Sequence, residues 1–301
     1  MLAMPQIVII GAGALGGVIA AQVAPHAQVT LIDGWVEHVA AINAHGLICE
    51  RDDQIAVQAV RAVTDPALVE PVDLALVLVK AQQTPWAAAV AQQILRPTGV
   101  AYTLQNGLGN AALLAATLGT ERVGQGVTAL GATLLGPGRV RWAGRGATVF
   151  ANQPVPAHAS ALVDSFTAAG LPASVGTDVD ALVWGKLLAN VAINPLTALL
   201  RVPNGALLTQ ASLQPIWQAA VLEAAAVAAA QGIVLPYADP LAHVQQVIAT
   251  TAANRSSMLQ DLLRGAPTEI ATINGAIVAL GQRYGIPTPV NATLTALIRA
   301  L

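Results

Sequence analysis

The first half of the chain alternates short β-branched apolar runs with alanine-rich stretches of helical period. Gln6–Ile10 and Gln28–Ile32 read as strands, and residues 14–24 between them read as a helix. Residues 72–79 and 100–104 are further apolar runs of strand length. Continuous apolar strands separated by helices predict a parallel sheet covered on both faces. Between 123 and 150 the runs shorten and are punctuated by Gly136-Pro137-Gly138 and Gly144, which predicts an antiparallel hairpin or meander. From about Thr177 the period becomes helical, over 182–200, 213–231, 241–263, 268–284 and 292–301, with breaks at Pro203, Pro236, Pro267 and Pro287/Pro289. The expected fold class is α/β, with a parallel-sheet domain over 1–176 and an all-helical domain over 177–301.

Composition narrows the function classes. The 301 residues are 55% apolar and only 10% charged, against about 45–50% and about 25% in an ordinary domain. Such a chain buries ample core, and disorder is excluded. Fourteen basic and 16 acidic residues give a net charge of −2, which argues against nucleic-acid partners and polybasic membrane binding. One cysteine, Cys49, excludes a disulfide framework and a multi-cysteine zinc site, and fits a reducing cytoplasm. Residues 97–120 carry no charge but contain Gln105, Asn106 and Asn110. Residues 215–236 are interrupted by Gln218, Glu223, Gln231 and Gly232. Neither reads as a membrane span. The apolar start lacks a positive leader region, so no signal peptide is expected.

Gly11-Ala12-Gly13-Ala14-Leu15-Gly16 follows the first predicted strand and opens the first predicted helix. In that context Gly11 permits a tight turn, Gly13 lets the backbone approach a pyrophosphate, and Gly16 lets helix and strand pack closely. The free N–H groups of the helix start then favour phosphate. The alternative is a glycine-rich turn without a ligand. Asp33 ends the second predicted strand, where a dinucleotide fold places an acid on the adenosine ribose. A carboxylate there repels a 2′-phosphate, so NAD(H) is expected as the preferred cofactor and NADP(H) as a second. The plainer reading of Asp33 is a turn residue.

In the second half, Lys186, Asn190 and Asn194 are spaced i, i+4, i+8 among apolar neighbours, in one file along a helix. A lysine and two amides on a buried helix are costly unless they meet partners or a ligand. A lysine lining a cleft has its pKa lowered and serves as a general acid or base near neutrality. The competing reading, an exposed polar stripe, fits poorly with two asparagines in file. Lys80 follows the 72–79 strand at the carboxyl edge where open α/β sheets bind ligands, and Gln105-Asn106-Gly107 marks the next such edge. The polar runs 254–261 and 267–270 enter the helical half. Glu269 there is either a site group or a first-turn acid complementing a helix dipole after Pro267. No His/Cys/carboxylate cluster suggests a metal.

Taken in order, these pieces resemble the ketopantoate reductase (2-dehydropantoate 2-reductase) family over essentially the whole chain. The matching runs are the glycine loop, Lys80-Ala81-Gln82-Gln83, Asn106-Gly107-Leu108-Gly109, Lys186 with Asn190 and Asn194-Pro195-Leu196-Thr197, Pro203-Asn204-Gly205, residues 256–261 and Thr268-Glu269-Ile270. The resemblance implies an N-terminal Rossmann domain, a C-terminal helical domain and an active site in the cleft between them. It makes Lys186 the general acid and Glu269 a group orienting substrate and cofactor. It assigns Asn190, Asn194, Asn204 and Ser257 to the substrate, and Lys80, Gln83 and Asn106 to the cofactor and the nicotinamide end. One departure stands out. Many NADP-using members carry an arginine near Asp33, whereas Leu31-Ile32-Asp33-Gly34-Trp35 looks like the NAD-dependent D-2-hydroxyacid (D-mandelate) dehydrogenase branch.

The expected activity is reduction of the C2 carbonyl of ketopantoate to D-pantoate by hydride from a nicotinamide cofactor, with a small-molecule 2-oxo acid as substrate and neither nucleic acid nor membrane as partner. The alternative is the same chemistry on other branched 2-oxo acids. A non-catalytic dinucleotide sensor is the reading from another class, and Lys186, Asn190, Asn194 and Glu269 together argue against it. The alanine-rich helices after Leu213 leave room for a homodimer interface.

Overall fold

The computed structural model describes residues 5–301. The chain divides into two compact units, one made of residues up to Gln105 together with Asn110–Val179, the other of Asn106–Gly109 with Asp180–Leu301. The first unit runs β1 (Gln6–Ile10), α1 (Ala14–Val23), β2 (Gln28–Ile32), α2 (Val36–His45), β3 (Leu47–Arg51), β4 (Gln54–Gln58), β5 (Arg61–Val63), β6 (Val72–Val77), α3 (Thr84–Ile94) and β7 (Leu95–Thr103). It continues with α4 (Asn110–Leu118), β8 (Val123–Thr128), β9 (Gly131–Gly136), β10 (Arg139–Gly144), β11 (Thr148–Ala151), α5 (Pro156–Ala168) and β12 (Ala173–Gly176).

The main sheet has the order β12-β11-β8-β7-β6-β1-β2-β5. Every pairing from β8 through β5 is parallel, and β11 runs antiparallel to β8. This is the expected α/β architecture with a Rossmann-like parallel sheet. Strand β1 explains why such strands read as unbroken apolar runs. Ile7 and Ile9 enter the core that includes Val18, Ile19 and Leu31, while Val8 and Ile10 enter the opposite core with Val77, Ala87 and Ala88. Alternate side chains of one strand thus fill both faces of the sheet.

A second sheet, β4-β3-β10-β9, was only half foreseen. The 123–150 region does contain antiparallel pairs, but β9–β10 leaves the main sheet and joins β3, whereas β8 and β11 stay in it. Strands β3, β4 and β5 were not predicted: β4 is exposed along most of its length and shows no alternation in burial, and β5 is only three residues long.

The second unit runs α6 (Val179–Leu200), which begins at the boundary, then α7 (Ala206–Thr209), α8 (Gln214–Ala230), α9 (Pro240–Thr250), α10 (Ser257–Leu263), α11 (Asn274–Tyr284) and α12 (Pro289–Arg299). Two expected helices are corrected. Residues 241–263 form two helices, because Ser256 starts α10 by accepting the Leu259 N–H at 3.1 Å. Residues 268–273 make a turn in which the Glu269 carbonyl accepts from the Thr272 and Ile273 amides, so α11 starts only at Asn274. By length and composition α6 could cross a membrane (mean hydropathy 1.3), yet 72% of its apolar window is buried, as in a core helix. Ala211–Ala230 passes the same test at 1.2 and is 39% buried.

Pro195 lies inside α6 and has no N–H for the carbonyl of Val191, four residues back. Asn274 Nδ2 donates to that carbonyl instead, at 2.9 Å. The same amide donates to Asn291 Oδ1, and Asn291 Nδ2 donates to Glu223 Oε2 and to the Ala220 carbonyl. Asn274 and Asn291 are fully buried. The proline gap is thereby closed by a buried polar chain linking α6, α11, α12 and α8.

Candidate active site

The glycine loop has the shape its sequence requires. Gly11 has φ +105°, and a Cβ there would stand 2.7 Å from the Val79 nitrogen. A Cβ on Gly16 would stand 1.9 Å from the Gly11 carbonyl oxygen, so the start of α1 sits on the loop itself. Gly13, by contrast, faces open space. Its carbonyl accepts the Gly17 N–H at 2.8 Å, so the earlier amides of Ala14, Leu15 and Gly16 have no intrahelical acceptor. An open cradle of helix-start amides fits a dinucleotide pyrophosphate. The Asp33 carboxylate accepts from the Ala12 amide at 2.7 Å and from the Trp35 amide at 2.9 Å, which sets a negative charge against the loop.

Lys80 follows β6 and precedes the short turn Ala81–Gln83, and Gln83 is exposed. The neighbouring Gln105 carries more structure than its sequence context suggested. Its Nε2 donates to the Val79 carbonyl and to Thr84 Oγ1, both at 2.9 Å, and its Oε1 accepts from Thr103 Oγ1 at 2.9 Å. It braces the carboxyl ends of β6 and β7 against α3. An amide used as a brace has no spacing signature, so the sequence places Gln105 at this edge without showing the role.

Within the helical unit, Asn106–Gly109 packs on the turn before α11. The Leu108 amide donates to the Thr272 carbonyl at 2.9 Å, and Gly107 has φ +81° with a Cβ position only 2.5 Å from that same oxygen. A side chain at 107 would break this contact. The packing brings Asn106 to two charged groups. Lys186 Nζ, from α6, donates to Asn106 Oδ1 at 2.7 Å. Asn106 Nδ2 makes a long contact of 3.5 Å with Glu269 Oε2. The amide is oriented with its oxygen on the cation and its nitrogen on the anion. Burial pushes the Lys186 ammonium down to about 8, and the negative charge of Glu269 opposes that shift. Glu269 itself is buried.

The other expected residues lie in the same unit. Asn190 is partly buried on α6. Asn194 is buried, and its Nδ2 has no hydrogen-bond partner. Asn204 donates through its amide N–H to the Asn254 carbonyl and through Nδ2 to Thr251 Oγ1, both at 3.0 Å, while its buried Oδ1 has no partner. Ser257 is exposed in the first turn of α10, and it is the buried Ser256 that caps that helix and accepts from Thr197 Oγ1. The direct contact set is therefore Lys186, Asn106 and Glu269: an ammonium whose pKa is lowered to about 8, a polarised amide and a carboxylate. Such a set can give a proton to an oxygen that gains negative charge.

Two family models account for nearly the whole chain: Ketopantoate reductase PanE/ApbA matches residues 7–154, and Ketopantoate reductase PanE/ApbA C terminal matches 178–301. A 2-dehydropantoate 2-reductase of Halobacterium salinarum is 36% identical over 299 residues, covering 98% of both chains. Among solved structures, a PanE/ApbA family ketopantoate reductase from Ralstonia eutropha JMP134 superposes with a TM-score of 0.89 at 35% identity, over 98% of this chain and 97% of that one. A ternary structure of D-mandelate dehydrogenase with NADH and anilino(oxo)acetate superposes at 0.92 with 30% identity and the same coverage. The cradle suits a dinucleotide, the likenesses point to a nicotinamide cofactor, and the chain belongs to the ketopantoate reductase family as an NAD(P)-dependent oxidoreductase.

Proposed function

We propose that the protein reduces the C2 carbonyl of ketopantoate to D-pantoate, with Lys186 as the general acid. The observation that carries this reading is the aligned set Lys186–Asn106–Glu269. Bound NAD(P)H supplies the hydride. Lys186 Nζ faces the C2 oxygen, stabilises the negative charge that develops there and then transfers its proton to it. Asn106 holds Nζ in place through its oxygen, and Glu269 favours the charged, proton-bearing form of the lysine. Asn190, Asn194, Asn204 and Ser257 bind the carboxylate and hydroxyl of the substrate. The unpartnered buried atoms Asn194 Nδ2 and Asn204 Oδ1 support that role, since buried polar groups ordinarily find partners.

The cofactor loop is Gly11–Gly16, with Lys80 and Gln83 on the cofactor, and NADH is the preferred reductant because the Asp33 carboxylate repels a 2′-phosphate. A second reading, a D-2-hydroxyacid dehydrogenase for bulkier substrates, is favoured by Asp33 and by the superposition on D-mandelate dehydrogenase. The TM-scores of 0.92 and 0.89 barely separate the two structures, while identities of 36% and 35% against 30% favour ketopantoate. Steady-state kcat/KM for ketopantoate, phenylglyoxylate and 2-ketoisocaproate, each with NADH and NADPH, tests the choice. Ketopantoate with NADH should lead, and a lead for phenylglyoxylate would transfer the protein to the second reading. NADH binding without turnover on any 2-oxo acid would make it a sensor.

A further inference from the structure

His38, in the first turn of α2, has no part in the proposed chemistry, and it is 1% exposed. Its ring has two defined partners. The Gly138 amide, in the turn between β9 and β10, donates to Nδ1 at 2.9 Å. An Nδ1 that accepts carries no proton, so Nε2 carries it and donates to the Ala12 carbonyl at 2.9 Å. Trp35 stacks on the imidazole with ring centroids 5.0 Å apart and planes 8° from parallel, which fixes the ring plane.

Ala12 is the second residue of the glycine loop. Asp33 Oδ2 holds its N–H at 2.7 Å, and His38 holds its carbonyl. A trans peptide is planar, so the Gly13 N–H points opposite to the Ala12 carbonyl. Fixing that carbonyl on His38 therefore aims the Gly13 N–H to the other side of the peptide. Gly13 is also the loop position with open space where a Cβ would stand.

We infer that His38 is a positioning residue for the cofactor: through the Ala12 carbonyl it presets the Gly13 amide toward the pyrophosphate, and so sets dinucleotide affinity without touching the nucleotide. This rests on the reading of the glycine loop as the cofactor cradle. A preset donor lowers the ordering cost of binding. The competing account is that His38 only anchors the β9–β10 turn through Gly138.

Two substitutions separate the accounts. His38→Asn keeps an acceptor near the Nδ1 position for Gly138 but falls short of Ala12. His38→Gln reaches the Nε2 position and keeps an N–H for the Ala12 carbonyl. NADH affinity is measured by titration calorimetry, beside the melting temperature of each protein without nucleotide. The Asn variant should bind NADH about tenfold more weakly, the size of one lost hydrogen bond, and the Gln variant should stay within about threefold of the unmodified protein. KM for NADH should rise with the dissociation constant in the Asn variant, and kcat should fall by less. Unchanged affinity in the Asn variant would overturn the inference. So would equal weakening in both variants that tracks loss of melting temperature, since that is what a turn anchor predicts. An unmodified protein that binds neither NADH nor NADPH would instead overturn the cofactor reading, and the inference with it.

Discussion

Burying the Lys186 ammonium among the apolar residues of α6 disfavours its charged form, and the neighbouring Glu269 recovers part of the loss. The fall from 10.5 to about 8, at about 1.4 kcal/mol per unit, caps the stability cost at about 3.5 kcal/mol. The sign follows from linkage. Because the folded-state pKa is depressed, the cost is fully present below about 8 and is relieved as pH rises toward 10.5. Lys186→Met should therefore melt higher than the unmodified protein at pH 7, by about 1–2 kcal/mol after loss of the Asn106 bond, and the gap should close by pH 10.5. Equal melting at pH 7 would mean that the charge is not buried in solution. Glu269→Gln removes the anion that supports the ammonium, so the alkaline limb of the reductive pH profile should move below about 8. A limb that stays put would leave Glu269 with a role in orientation alone. At the glycine loop, the proposed preference for NADH over NADPH in kcat/KM should narrow in Asp33→Ala, and an unmodified protein that prefers NADPH would show that the carboxylate, bonded to Ala12 and Trp35, does not face the ribose.

At the scale of elements, the helix carrying Lys186 depends on a repair made elsewhere. Pro195 frees the Val191 carbonyl, and Asn274 on α11 satisfies it. Asn274→Ala should cost about 2–3 kcal/mol, because a buried carbonyl and Asn291 both lose a donor. Pro195→Ala in that background should recover part of the loss, since the new N–H can serve Val191. A double-mutant cycle in chemical denaturation reads this as coupling, and strict additivity would contradict it. The same element shows what sequence reading could and could not see. The file Lys186, Asn190, Asn194 was legible because helical spacing is local, and so were the glycine loop and the unbroken apolar strands of the main sheet. Asn274 and Asn291 were invisible because their partners are 83 and 71 positions away. Strand β4 was invisible because an exposed edge needs no apolar alternation. The break between α9 and α10 was missed although Asn254-Arg255-Ser256 is polar, because the helical period resumes beyond it and a single capping serine such as Ser256 does not by itself mark a new helix start.

At the scale of the molecule, the chain keeps a separate apolar core in each unit, with the glycine loop in the sheet unit and Lys186, Asn106 and Glu269 in the helical one. Asn106–Gly109 crosses that division in sequence: it lies in the first half of the chain and packs within the helical unit. The central claim is that Lys186 delivers the proton. Its most direct test is the pH dependence of kcat for ketopantoate reduction at saturating cofactor and substrate, in the unmodified protein and in Lys186→Ala. The account predicts activity that falls as pH rises through about 8 in the unmodified enzyme, a loss of about 10²–10⁴-fold in kcat in the variant, and no alkaline limb in what activity remains. A variant that keeps its kcat and its limb while only KM for ketopantoate rises would contradict it, and would reduce Lys186 to a binding group for the substrate carboxylate.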